Sequence, residues 1–220
     1  MLDIYINDKL SREQKNYLAK KWEQLSKKLQ IPDDSSSAIY IQIKQKYGQD
    51  NRKYHNLSHI YSMLRLAEKE QEQTEEPDHL ELAIWFHDVI YQPVRKDNEQ
   101  KSADFAKEIL ADYCSTAQLE LLEKMILSTK KHEPLTDFPD VLWLLDFDLA
   151  VLAADSTVYD QYSQAIRQEY NIFPNLIYKP GRKKVLQHFL NMTSIYYTEK
   201  FRVQYDHLAQ ANLRRELAEL

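Results

Sequence analysis

A chain of 220 residues that contains only two glycines has few ways to turn sharply. Glycine is about 1% of this chain where about 7% is usual, and β-hairpin turns need residues that accept positive φ. Abundant Leu, Lys, Glu and Gln favour helix instead. The same scarcity excludes two phosphate-binding devices. A Walker loop needs paired glycines and a dinucleotide fingerprint needs three, whereas Gly48 and Gly181 stand far apart. The expectation is an all-α, single-domain multi-helix bundle over residues 1–220, in which phosphate would have to be held by something other than a glycine cradle.

Lys and Arg total 29 against 34 Asp and Glu, a net charge of −5 with a pI near 5.8. That balance leaves no basic footprint for a nucleic-acid polymer. The lone Cys114 excludes an internal disulfide. The opening residues MLDIYINDKL lack the basic segment and apolar run of a leader, and no stretch approaches the ~20 apolar residues of a membrane helix. These features lead us to expect a soluble, cytoplasmic protein with no membrane partner.

Apolar residues recur at helical spacing throughout. Leu18, Trp22, Leu25 and Leu29 form one stripe that stops before Pro32. After a short polar loop at Asp33 to Ser37, a second stripe holds Ile39, Tyr40, Ile43 and Tyr47. Asn56 is a candidate N-cap for a helix with Ile60, Met63, Leu64 and Ala67 inward, and Glu68 to Asp78 is a solvated exit. Pro77 suits the first turn of a helix that continues through LELAIWFHDVIY, apolar around most of its circumference. Asp97 and Ser115 can cap the next two helices, and a seventh begins near Asp140 as VLWLLDFDLAVL. Further stripes are Tyr159, Tyr162, Ile166 and Tyr170; Val185, Leu186, Phe189 and Leu190; and Phe201, Tyr205, Leu208 and Leu213. The many tyrosines at this spacing are expected mostly in the core, with one or two lining a pocket.

Asp88, Asp146 and Asp148 interrupt otherwise apolar segments. Burying an ionised carboxylate costs several kcal/mol unless it is paired, and neither segment contains an Arg or Lys. Histidines are available at His55, His59 and His87. A divalent cation bound by two imidazoles and two carboxylates accounts for both residue types and leaves coordination positions for water. His55 and His59 lie one helical turn apart and can face a common cleft. The alternative is a metal-free network of buried His–Asp hydrogen bonds.

The order His59, then His87-Asp88, then a distant Asp148 resembles the H…HD…D pattern of the HD-domain superfamily of metal-dependent phosphohydrolases. Tyr54-His55-Asn56-Leu57-Ser58-His59 is similar to the YHNxxH signature of cyclic-nucleotide phosphodiesterases, which share that helical core. RKYHNLSHI, AIWFHDVIY, DNEQKSA, the Ser128-Thr129 to His132 stretch, DFDLAVL, IRQEY and ANLRREL resemble a bacterial family of HD-superfamily phosphohydrolases from about Lys53 onward. The resemblance implies an HD-type core over about residues 50–170, with the N- and C-terminal helices packed on it. It implies His59, His87, Asp88 and Asp148 as metal ligands, Asp88 also serving catalysis, and His55 as general acid. Asp148 fits the fourth ligand better than Asp146 because Leu149 follows it. The nucleobase-clamping glutamine of the phosphodiesterases has no counterpart here, so cyclic nucleotides are not implied.

The cofactor implied is one or two divalent ions, of Mn, Mg, Fe, Co, Ni or Zn. The substrate class is a small phosphate monoester or diester, a nucleotide by extension. A non-catalytic metal- or nucleotide-binding regulatory module is the competing reading, and a helical interaction scaffold a third. A homodimer is compatible with the aromatic content. His132 could bind substrate phosphate or a second metal, Arg167 could bind substrate phosphate, and Glu99 could line the pocket. Ordinary alternatives are a loop histidine beside solvated lysines, a helix-surface ion pair, and helix capping by Asn98 and Glu99. His79, His188, His207 and Cys114 carry no expected role.

Overall fold

The computed structural model describes residues 2–6 and 9–220, and among these there are ten α-helices, two short 3₁₀ helices and no strand. Met1, Asn7 and Asp8, part of the segment read for a leader, lie outside the described residues. The helices are α1 (Arg12–Lys28), α2 (Asp33–Tyr47), α3 (Leu57–Glu70), α4 (Pro77–Phe86), α5 (Asn98–Leu110), α6 (Thr116–Ser128), α7 (Asp140–Asp148), α8 (Ser156–Glu169), α9 (Asn175–Leu190) and α10 (Glu199–Glu219). They form the all-α bundle that the composition predicts. None of the described helices is long and apolar enough to cross a membrane.

The helix starts follow from local chemistry. Ser11 and Ser115 close reciprocal capping boxes with Gln14 and Gln118, and Asn56 accepts from Ser58 N–H at the start of α3. Asp97 stands at the N-cap of α5, but its carboxylate is taken by Arg95 and caps nothing. With glycine so scarce, two other residues take the left-handed conformation, Gln30 after α1 (φ 56) and His132 after α6 (φ 54).

The centre of the molecule is α4. Leu80, Leu82, Ala83, Ile84, Trp85 and Phe86 are all buried, packed by Ile60, Met63 and Leu64 of α3. Trp22 of α1 meets Trp85 edge to face with ring centroids 5.7 Å apart. Each such side chain contributes about 1.5–3 kcal/mol by leaving water, so the bundle needs no covalent staple.

Several expectations about element ends are corrected. The polar segment Asp33 to Ser37 is the first turn of α2, because Asp33 and Asp34 suit the positive end of the helix dipole. Glu70, expected in a solvated exit, is buried and paired with Lys200 at 2.6 Å. The run LELAIWFHDVIY is not one helix: α4 ends at Phe86 with His87 as its C-cap. Likewise α7 ends at Asp148, and Ala150–Ala153 form a 3₁₀ turn. Leu208 and Val185, expected inward, are exposed, and α10 instead buries Phe201, Ala209, Leu213 and Glu216.

Candidate metal centre

These helix ends matter because they bring His59, His87 and Asp148 together. His59 sits in the first turn of α3, His87 caps α4, and Asp148 is the last residue of α7. His59 Nε2 lies 3.2 Å from His87 Nε2 and 3.2 Å from Asp148 Oδ1, and His87 Nε2 lies 3.7 Å from that same oxygen. Ligands about 2.1 Å from a common ion stand about 3.0 Å apart in octahedral and about 3.4 Å apart in tetrahedral geometry. All three separations are close to that range, so the three side chains fit a divalent cation.

The tautomer of His87 fits as well. Its Nδ1–H donates to Ile84 O at 3.0 Å, which turns Nε2 into the cluster, where a bound cation would take the place of its proton. Asp88 stands at the edge. Its Oδ2 is 3.3 Å from His87 Nε2, but it does not belong to the group whose ligand atoms all lie within 4.8 Å of one another. His132 reaches the opposite side, with Nε2 3.2 Å from Asp148 Oδ2. Its positive φ turns the chain back after α6, and Tyr197 O–H holds its carbonyl at 2.6 Å.

The two aspartates on α7 have separate tasks. Asp146 is fully buried and accepts hydrogen bonds from Tyr197 N–H, Thr198 N–H and Thr198 Oγ, which tie α7 to the start of α10. Its oxygens are thereby occupied, and Asp148 alone of the pair joins the cluster.

His55 lies beside this group and is held from behind. Its Nδ1 is 2.6 Å from Glu169 Oε2, which also accepts from Tyr91 O–H, while Oε1 accepts from the N–H groups of Lys53, Tyr54 and His55. Burial pushes His55 down, but the Glu169 carboxylate outweighs it and the net shift is upward. Glu169 is itself raised by burial yet drawn down to about 2 by His55 and the backbone donors. In the cluster, burial lowers His59, whereas Asp88 and Asp148 overcome the same penalty and raise His87 to about 9.

Glu169 and Arg52 were missed in the sequence. Glu169 continues the buried stripe of α8 three residues after Ile166, so the test that singled out Asp88, an acid on an apolar face, also applies to it. Arg52 gives no such signal. Its buried guanidinium donates to the carbonyls of His55, Asp88 and Val89, clamping the loop before α3 to the turn after α4.

A cleft of about 910 Å³ opens over the cluster. His55, Asp88, Glu99, His132 and Asp148 line its floor. Glu99, raised chiefly by burial, thus reaches the pocket, while Asn98 instead braces the preceding loop through Gln92. Five tyrosines line the walls, Tyr54, Tyr91, Tyr162, Tyr170 and Tyr178, more than the one or two expected. His188, given no role, stands on the rim with Lys130, Lys131 and Lys184. Arg167 is not among the lining residues. It is spent on the carbonyls of Tyr170 and Phe173 and on Asn175 Oδ1, which fasten the turn between α8 and α9.

A scan against family models gives no match, and searches among curated proteins and solved structures give none. The geometry of the cleft therefore carries the functional argument.

Proposed function

We propose that this protein is a metal-dependent phosphohydrolase of the HD type, acting on small phosphate esters in the cleft above His59, His87 and Asp148. The observation that carries the reading is the spacing of those three ligand atoms at the floor of a cleft that also holds a carboxylate-supported histidine. When bound, a divalent cation supplies charge neutralisation at the phosphoryl oxygens and makes water more acidic. His59, His87 and Asp148 hold the cation, with Asp88 beside them.

His55 protonates the departing ester oxygen through Nε2. Glu169 orients the ring by accepting from Nδ1–H, and its charge favours the protonated form. Tyr91 stacks on the His55 ring at 4.1 Å and limits its rotation. The rim residues Lys130, Lys131 and Lys184 offset the net negative charge of the chain at the mouth and draw anions inward.

The test is metal content and turnover in the same preparations. Wild-type protein loaded with Mn²⁺, Mg²⁺, Co²⁺ or Ni²⁺ is expected to hydrolyse phosphate esters. His87→Ala and Asp148→Asn are expected to lose both bound metal and at least about 10³-fold in kcat/KM, about 4 kcal/mol of transition-state stabilisation. Stoichiometric metal binding with ligand-induced thermal shifts but no product would overturn the catalytic reading in favour of a binding module. Retained activity in either variant would overturn the site.

A further inference from the structure

The cleft is much larger than a phosphoryl group needs, and apolar side chains line it beside the polar ones. At about 910 Å³ it lies near the upper end of the range for sites that enclose a whole organic ligand. Besides the groups next to the metal cluster, the lining includes Ile166, Tyr170, Phe173, Ile177, Tyr178 and Val185 of the α8–α9 region. Two of these, Ile177 (59% exposed) and Val185 (44% exposed), present hydrocarbon to solvent at the lip. Isolated apolar residues on a surface need no explanation, but a concave group continuous with a polar catalytic floor does.

Arg182 and Tyr91, two polar groups of the lining, are already engaged with partners of their own. Arg182 forms a two-pronged pair with Glu216, and Tyr91 donates to Glu169. Polyols and sugars lose affinity where their hydroxyls find no partners, whereas flat or hydrocarbon groups gain from the same walls.

We infer that the preferred ligand is a phosphate ester of an apolar, ring-sized alcohol, whose organic part lies on the Ile166–Phe173–Val185 wall, in contrast to a sugar, polyol or nucleoside phosphate. The inference rests on the phosphohydrolase reading for the position of the phosphate, and it concerns the organic part of the ligand in the same cleft.

Binding and turnover are measured separately so that the two readings can fail independently. Calorimetry with Mn²⁺-loaded protein compares phenethylphosphonate with dihydroxypropylphosphonate, which are not hydrolysed. Kinetics compare phenethyl phosphate with glycerol phosphate, both of which leave as primary alkoxides of similar reactivity, and with adenosine monophosphate. The expected result is at least tenfold tighter binding of the phenethyl compound, and the same order in kcat/KM. Ile177→Ser combined with Val185→Ser, both at exposed positions, should shrink the binding ratio at least threefold. Equal affinities, a preference for the polyol or the nucleotide, or no change in the double variant would overturn the inference. A binding preference without hydrolysis of any ester overturns the hydrolase reading and leaves this one standing. Equal hydrolysis of all three esters does the reverse.

Discussion

Arg182–Glu216 and His59–His87–Asp148 are both buried between helices, yet they treat their polar atoms in opposite ways. Arg182 Nε and Nη2 meet the two oxygens of Glu216 at 2.8 and 2.9 Å, and Tyr159 O–H adds a third bond at 2.6 Å. That network is closed: each carboxylate oxygen has its donor. In the histidine cluster, two ring nitrogens and a carboxylate oxygen face one another within 3.7 Å, although such atoms are all acceptors unless protons intervene. The closed pair serves the fold, and the open group is suited to a cation.

The sharpest way to break this comparison is to remove one member of the closed pair. Arg182→Met leaves Glu216 buried without its cation, which should cost about 3–5 kcal/mol in denaturant unfolding. Added Mn²⁺ should not restore the loss, because the defect lies outside the cluster. A cost below about 1 kcal/mol would mean that the two groups do not differ as described.

Glu169 stands between the two cases, closed toward the backbone and His55 but adjacent to the cleft. Its folded-state value of about 2 lies below the ordinary value of 4.5, so its ionised form stabilises the fold above about pH 4.5. The stabilisation is lost as the pH falls toward 2. A shift of this size corresponds to about 3 kcal/mol for the His55–Glu169 pair taken once. The stability difference between wild type and Glu169→Gln should therefore be about 3 kcal/mol near neutrality and less than half that by about pH 3. A difference independent of pH would show that Glu169 acts through packing and not through charge. In kinetics the variant should lower kcat with little change in KM, since His55 would lose its orientation while the binding walls remain.

The bundle was legible because helical periodicity and caps such as Ser11, Asn56 and Ser115 are local signals. Acids and imidazoles in apolar runs offered Asp88, Asp146 and Asp148 with three histidines, and it was the resemblance to the HD pattern that selected His59, His87 and Asp148, together with Asp88, among them. Neither the ends of α4 and α7 nor the turn at His132 could be read, because helix termination there depends on tertiary contacts and on a left-handed residue that is not glycine. Asp146 and Asp148 look alike in the chain. They separate because residues 197 and 198, about fifty positions later, supply three donors to one and none to the other. Arg52 was invisible for a related reason: its partners are carbonyl oxygens, which every residue has.

Arg167 offers the smallest and most selective test. The sequence allows it to bind phosphate, whereas the structure engages it with the turn that carries Phe173 into the cleft. Two of its hydrogen bonds are exposed and two half-buried, so Arg167→Ala should cost only about 1–2 kcal/mol of stability. Loosening the turn displaces one wall of the cleft but none of the groups beside the cluster. For a phosphate ester with an apolar alcohol, KM should rise severalfold while kcat holds. For inorganic phosphate as an inhibitor, affinity should stay unchanged. A parallel loss of phosphate affinity and kcat would instead put the guanidinium on the substrate, and would make the α8–α9 turn part of the open group.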